Sequence, residues 1–202
     1  MVSPQEVLAF WLDECSPEDW YKSDPAFDAV IRDRFGAAWQ QAAEGGLSLW
    51  LTYPSGTLAY IILTDQFPRN MFRDSAKAFA TDGLALAAAK MAIDRKWDLK
   101  IDEPGRQFFY LPLMHAENLC DQDRAVRLIH TRMPEHGAGN RDHACAHRAV
   151  IRDFGRFPYR NDALGRRTTP AEQVFLDAGG YGAAIRAQQA AAEQARLQPS
   201  GS

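Results

Sequence analysis

Four times along this chain a proline sits where the first residue of a helix would be. Ser3-Pro4-Gln5-Glu6 and Thr169-Pro170-Ala171-Glu172 each offer a hydroxyl at the N-cap, a ring with fixed φ behind it, and a carboxylate that reaches back to the cap. Ser16-Pro17-Glu18-Asp19 repeats the arrangement, and Asp24-Pro25 is a near variant. These cap signals predict helix starts, and apolar stripes of helical spacing follow two of them. Val7, Leu8, Trp11 and Leu12 follow the first; Phe27, Val30, Ile31, Phe35, Ala38 and Trp39 follow Pro25 and run to Gly45-Gly46. No run alternates at period two over the length of a strand; the short WLTYP around Trp50 is the one candidate. The chain therefore reads as all-α, about eight to ten helices packed as antiparallel hairpins.

Further along, the Ala-rich segment from Asp74 to Trp97 is predicted to form one long helix, and the segment from Phe108 to Met133 one helix or two in sequence. Asn140 or Asp142 is the expected cap of the helix carrying His143 and His147. The stretch from Tyr181 to Arg196, rich in Ala and Gln, is expected to dock weakly. With 202 residues, 46% hydrophobic and 24% charged, the chain is expected to build one domain over 1–196, followed by a tail, 197–202. Its last two residues, Gly201-Ser202, read as a cloning remnant.

Composition narrows the function classes. The longest aliphatic-aromatic run, Leu58 to Leu63, is far short of the roughly 20 residues that a spanning helix needs. The N-terminal apolar segment is flanked by Glu6, Asp13 and Glu14 rather than by basic residues, unlike a secretory signal. Cys15, Cys120 and Cys145 form no C-x-x-C pair, so reduced thiols and a cytoplasmic location are expected. A net charge of −3 gives no generic affinity for nucleic acid. Charge is nevertheless segregated: acids dominate from Met1 to Ile31, and seven arginines stand against Asp142, Asp153 and Asp162 between Arg141 and Arg167. Internal pairing and a site for an anionic partner both fit that pattern.

The stretch LAYIILTDQFPRNMFR, Leu58 to Arg73, puts Leu58, Ile61, Ile62 and Asp65 on one helical stripe, with Gln66 beside them. Pro68 is expected to end that helix, ahead of Arg69, Asn70 and Arg73. A partial echo, VIRDFGRFPYRN, runs from Val150 to Asn161 and carries Arg156, Arg160 and Asn161. Leu111, His115, Asn118 and Gln122 share a second face, and His147, Ile151 and Phe154 a third. Asp65, His115 and His147, with Gln66, Glu117 and Gln122 near them, are thus predicted to form a polar cluster. A purely structural network, a ligand site and an enzyme centre all remain open for it. No metal or cofactor is expected. His143 and His147 are spaced i, i+4, but the Glu of H-E-x-x-H is missing. The arginines suit bidentate binding of carboxylate or phosphate, and equally the capping of the preceding helix ends.

These motifs, LTDQFPRNMFR, FFYLPLMHAENLCDQ and HRAVIRDFGRFPYRNDALGRRTTPAEQVFL, with the pair Phe10-Trp11, make the chain resemble the bacterial family called domain of unknown function 924 along nearly its whole length. The resemblance implies a fold like that of tetratricopeptide-repeat proteins and no established activity. It places family motif residues at Asp65, Gln66, Arg69, Asn70, Arg73, His115, Glu117, Asp121, Gln122, His147, Gly155, Arg156, Arg160 and Asn161. Ala116 and Tyr159 stand where the family pattern has serine and histidine. The leading expectation is a helical binding protein whose concavity, lined by Arg and His, takes a small anionic ligand or an acidic peptide. The alternatives are a hydrolase with His115 or His147 as base and Asp65 as orienter, and a scaffold.

Overall fold

The computed structural model describes residues 1–197, with side-chain burial through 194, and every regular element among them is helical. The chain divides into two compact units, Met1–Pro112 and Leu113 onward. Residues 198–202 of the predicted tail lie outside the described residues.

In the first unit the caps act as their chemistry dictates. Ser3 and Glu6 close a capping box at the start of α1 (Pro4–Leu8), and Asp24 accepts from the backbone of Ala26 and Phe27 to start α2 (Pro25–Ala43). Ser16 behaves differently. Its backbone and hydroxyl both bond Asp19, at 2.9 and 2.8 Å, but only a 3-10 turn, Asp19–Tyr21, follows, because Asp24-Pro25 restarts the chain three residues later. Trp50 and its neighbours form a 3-10 turn, Ser48–Thr52, rather than a strand. Pro54 opens α3 (Pro54–Ile61). Within it Gly56 is obligatory by contact, since a Cβ there would lie 2.5 Å from the Trp50 carbonyl oxygen.

Pro68 does not end the organising helix. A π-helical turn, Ile62–Gln66, joins α3 to α4 (Phe67–Met71), with the Phe67 amide bonding the Ile62 carbonyl five residues back. A proline cannot donate to the carbonyl four residues before it, here that of Thr64. The Thr81 hydroxyl supplies the missing donor at 2.6 Å and in turn accepts from the Trp39 indole at 3.0 Å. That relay explains a second departure. The predicted long Ala-rich helix is broken into a 3-10 turn, Ala76–Phe79, and α5 (Asp82–Asp94), with Thr81 at the break. The core of this unit is aromatic: Trp11, Phe35, Phe67 and Phe108 are fully buried, with the Phe35 and Phe67 rings 4.8 Å apart and those of Trp11 and Phe67 5.2 Å apart.

A short helix, α6 (Leu111–His115), leads into the second unit, which comprises α7 (Leu119–Arg132), α8 (Gly137–Phe154), α9 (Pro170–Asp177) and α10 (Gly180–Leu197). Asn118 caps α7 by accepting from the Asp121 amide at 3.1 Å, so it interrupts the helix on which it was expected to share a face with His115. The cap expected at Asn140 or Asp142 is not used, because α8 begins earlier, at Gly137, with no side-chain cap. Helices α7 and α8 form an antiparallel hairpin, marked by Arg148 bonding Asp123 and Arg141 bonding His130, each at 3.3 Å. Gly155 ends α8 in the left-handed conformation, φ 70°. Val150, Ile151 and Phe157 form this unit's buried apolar cluster, and Phe154, Phe175 and Ala184 pack against it.

Candidate functional site

The two echoed helix ends each bury their polar residues against carboxylates. In the first unit Asp65, fully buried, accepts from Gln66, and its backbone carbonyl accepts from Arg69. Arg69 also reaches the Asp65 carboxylate at 3.3 Å and Asp82 at 3.0 Å. Asn70 donates to Asp28 at 2.9 Å, and Arg73 takes the same carboxylate in a fork of 2.5 and 2.8 Å. Burial raises the Asp28 pKa, but the bonds from Arg73 and Asn70 outweigh it, and the carboxyl lies below its ordinary range. The α2 carboxylate of Asp28 was not singled out from sequence, and it organises this end.

In the second unit Arg156 grips Glu172 through two bonds, 2.5 and 2.8 Å, while Glu172 also closes the capping box of α9 with Thr169. The Arg156 fork, helped by the Thr169 amide, holds the Glu172 carboxyl down to about 2. Asn161 donates to the same carboxylate at 3.4 Å and accepts from Arg166 at 3.0 Å. Arg166 forks onto Glu117 at 2.6 and 3.0 Å, and Glu117 accepts from the Phe157 amide at 2.8 Å. Within the basic stretch, Arg156, Arg166 and Arg148 thus find carboxylates of this unit, Glu172, Glu117 and Asp123. The sequence signal for the Arg156–Glu172 pair was the capping box itself, which fixes Glu172 at one place.

Beyond these pairs the second unit gathers rings around His147. Its imidazole lies 4.7 Å from the ring centre of Tyr181, 5.2 Å from Phe157 and 6.2 Å from His115. Tyr159 adjoins Phe157 at 5.3 Å and Tyr181 at 5.7 Å. Arg160, buried, stacks its guanidinium 4.4 Å from the Phe157 ring centre and donates to the His115 carbonyl at 3.1 Å. Gln122 donates to the carbonyls of Met114 and Ala116 at 2.6 and 2.8 Å, fixing the turn that presents His115. His147 also bonds the Met114 backbone. Its Nδ1 is buried and, among the described residues, has no hydrogen-bond partner.

Burial, with His115, Arg160 and His143 as further positive neighbours, pushes the His147 pKa well below the ordinary imidazole value. The ring is therefore neutral at physiological pH, with its proton on Nε2 facing the Met114 carbonyl and a lone pair on Nδ1. The structure thus brings together His115, Gln122, His147 and Arg160. It commits Arg156, Asn161 and Glu117 to a separate ion-paired group, and Asp65, Gln66, Arg69, Asn70 and Arg73 to the first unit. Tyr181, whose hydroxyl shares a 2.5 Å hydrogen bond with His143 Nδ1, escaped the sequence reading. Its only signal was a large ring in a helix otherwise poor in them. Among the described residues no three His, Cys, Asp or Glu side chains are placed to hold a metal ion, and no helix is long and apolar enough to cross a membrane.

Residues 7–180 match the profile of a family described as bacterial protein of unknown function, DUF924. A solved structure of a protein of unknown function from Agrobacterium tumefaciens is similar, with 41% identity over 86% of this chain and 96% of that one, and a TM-score of 0.79. No curated protein matches the chain significantly.

Proposed function

We propose a function for this chain, which belongs to the DUF924 family of bacterial proteins of unknown function: its second unit binds a small anionic ligand beside His147 and Arg160. The observation that carries this reading is the buried, unpartnered Nδ1 of a neutral imidazole beside the rings of Phe157 and Tyr181, with the Arg160 guanidinium stacked on Phe157. A buried acceptor without a partner costs about 1–3 kcal/mol, a cost that a ligand with a hydrogen-bond donor recovers. The Arg160 charge supplies attraction for an anion, and the rings of Phe157, Tyr159 and Tyr181 offer apolar walls of the kind small-molecule sites use.

Binding is a better reading than hydrolysis for a specific reason. A general base works best with a pKa near the operating pH. The burial that keeps His147 neutral also makes it a weak proton acceptor. In the first unit Asp65, the orienter of the enzyme reading, already carries Gln66 and Arg69.

A thermal-shift series with hydrogen phosphate, phosphorylated metabolites and small carboxylates tests the reading. An anion at 100 times its dissociation constant stabilises the protein by about 2.7 kcal/mol. The expected result is a rise in melting temperature with at least one anion class that is lost in Arg160→Gln, measured as the ligand-induced increment so that any change in intrinsic stability cancels. Increments of equal size in wild type and Arg160→Gln, or none with any anion, overturn it.

A further inference from the structure

Helix α10 is held to the second unit differently from its neighbours. Helix α8 buries Ala144, Ala146, Val150 and Ile151, whereas no residue of α10 from Tyr181 to Gln194 is buried. Packing of an apolar face is what secures a helix in a protein, so α10 is secured by little. Its hold on α8 is concentrated in the first turn. Tyr181 lays its ring 4.7 Å from that of His147 and shares a 2.5 Å hydrogen bond with His143 Nδ1, and Ala184 packs against the cluster of Val150, Ile151 and Phe157. A joint precedes that turn: Gly179 and Gly180 have φ of 102° and 52°. Glycine takes either sign of φ at little cost, so two in succession let the chain swing there while α8 and α9 keep their places. We propose that α10 is a hinged cover, which closes the histidine face of α8, opens as one body about Gly179-Gly180, and is latched by Tyr181.

Opening costs little and uncovers something specific. The bond between Tyr181 and His143 is exchanged for bonds to water, and the half-buried residues of α10 return little apolar surface to solvent. Beneath the first turn lies His147, whose buried Nδ1 has no partner among the described residues, with Tyr159 5.7 Å from the Tyr181 ring centre. His143, His147 and Tyr159 fall inside the stretch matched by the family profile, and α10 after Gly180 lies beyond it, so the covered face and its cover are separate in sequence. A helix that merely frays from its free end behaves otherwise: its first turn holds longest, and His147 stays covered. The cover needs no ligand to exist, and it gives the anion site proposed above its entrance.

Hydrogen–deuterium exchange of the full chain, read peptide by peptide by mass spectrometry, tests the cover together with the rate of diethyl pyrocarbonate labelling at His147. In wild type the amides of α10 are expected to exchange together, first turn included, and about a hundredfold or more faster than those of the buried part of α8. Two variants leave the aromatic ring in place. Gly179→Ala puts a Cβ on a positive-φ residue; the nearest atom it meets is Arg186 Nη2 at 3.5 Å, an ordinary contact, so it acts through the backbone. Tyr181→Phe removes only the latching hydroxyl. Each is expected to raise both α10 exchange and His147 labelling by about threefold to tenfold, with α7 and the buried part of α8 unchanged. Exchange graded along α10, with a first turn as protected as α8, overturns the cover in favour of fraying. So do variants that leave both readouts unchanged, or that speed α10 exchange without speeding labelling at His147. An α10 that exchanges no faster than α8 overturns it in wild type alone, whatever becomes of the variants.

Discussion

Two histidines one helical turn apart, His143 and His147, show how environment separates chemically identical residues. His143 bonds the Tyr181 hydroxyl, and its pKa is lowered by burial, with Asp142 opposing; His147 is lowered much further. The sign of the stability effect follows. Below roughly pH 6.5 the unfolded chain takes up a proton at His147 that the folded chain refuses. The contribution of His147 is therefore fully present above that pH and is lost as pH falls toward the folded value. We expect wild type to lose more stability than His147→Phe as the pH falls below roughly 6.5, measured by urea unfolding. Parallel pH profiles of the two proteins contradict this. Sequence spacing put His147 on an inward stripe with Ile151 and Phe154, and that was enough to single it out. It was silent on the tautomer, which depends on the Met114 carbonyl, 33 positions away in the chain.

At the scale of elements, the cap chemistry was legible because it is local: Ser3, Asp24 and Thr169 start helices with partners three residues or fewer away. Pro68 and Thr81 were misread because their reasons are tertiary. The π turn and the Thr81 hydroxyl together accommodate a proline inside a helix, and the same hydroxyl breaks the Ala-rich segment. Thr81→Val keeps the shape but leaves the Thr64 carbonyl and the Trp39 indole buried without this partner. It is expected to destabilise the protein by about 2–4 kcal/mol, read from the denaturation midpoint, and a loss under about 0.5 kcal/mol contradicts the relay. Helix α10 carries the other element-scale prediction. It begins where the family match ends, at residue 180, and its first turn lays Tyr181 beside His147. Tyr181→Ala is expected to speed anion association several-fold in stopped-flow measurements, and an unchanged rate argues against the ring as the barrier.

For the molecule as a whole, the all-α class was readable from cap signals and from the lack of period-two alternation, since both are written in neighbouring residues. The grouping of polar residues was less readable. Sequence placed Asp65, His115, His147 and the arginines of both helix ends in one pool. Within the second unit, Arg156 pairs with Glu172, Arg166 with Glu117 and Arg148 with Asp123, while Arg160 stacks on Phe157 and donates to the His115 carbonyl. Spacing along a helix reports which face a residue occupies, but it does not report which distant carboxylate will meet it.

The central claim is that His147 is a neutral, Nε2-protonated imidazole whose Nδ1 awaits a donor. The most direct measurement is the imidazole nitrogen NMR spectrum of protein labelled with nitrogen-15 at histidine, recorded from pH 5 to 8 and then with added hydrogen phosphate or 2-hydroxypropanoate, with His147→Phe providing the assignment. The account predicts a proton on Nε2 and a bare Nδ1 at pH 7, and a shift of the Nδ1 resonance when one of these anions is added. An imidazolium signal at pH 7, a proton on Nδ1, or an Nδ1 resonance indifferent to both anions would contradict it.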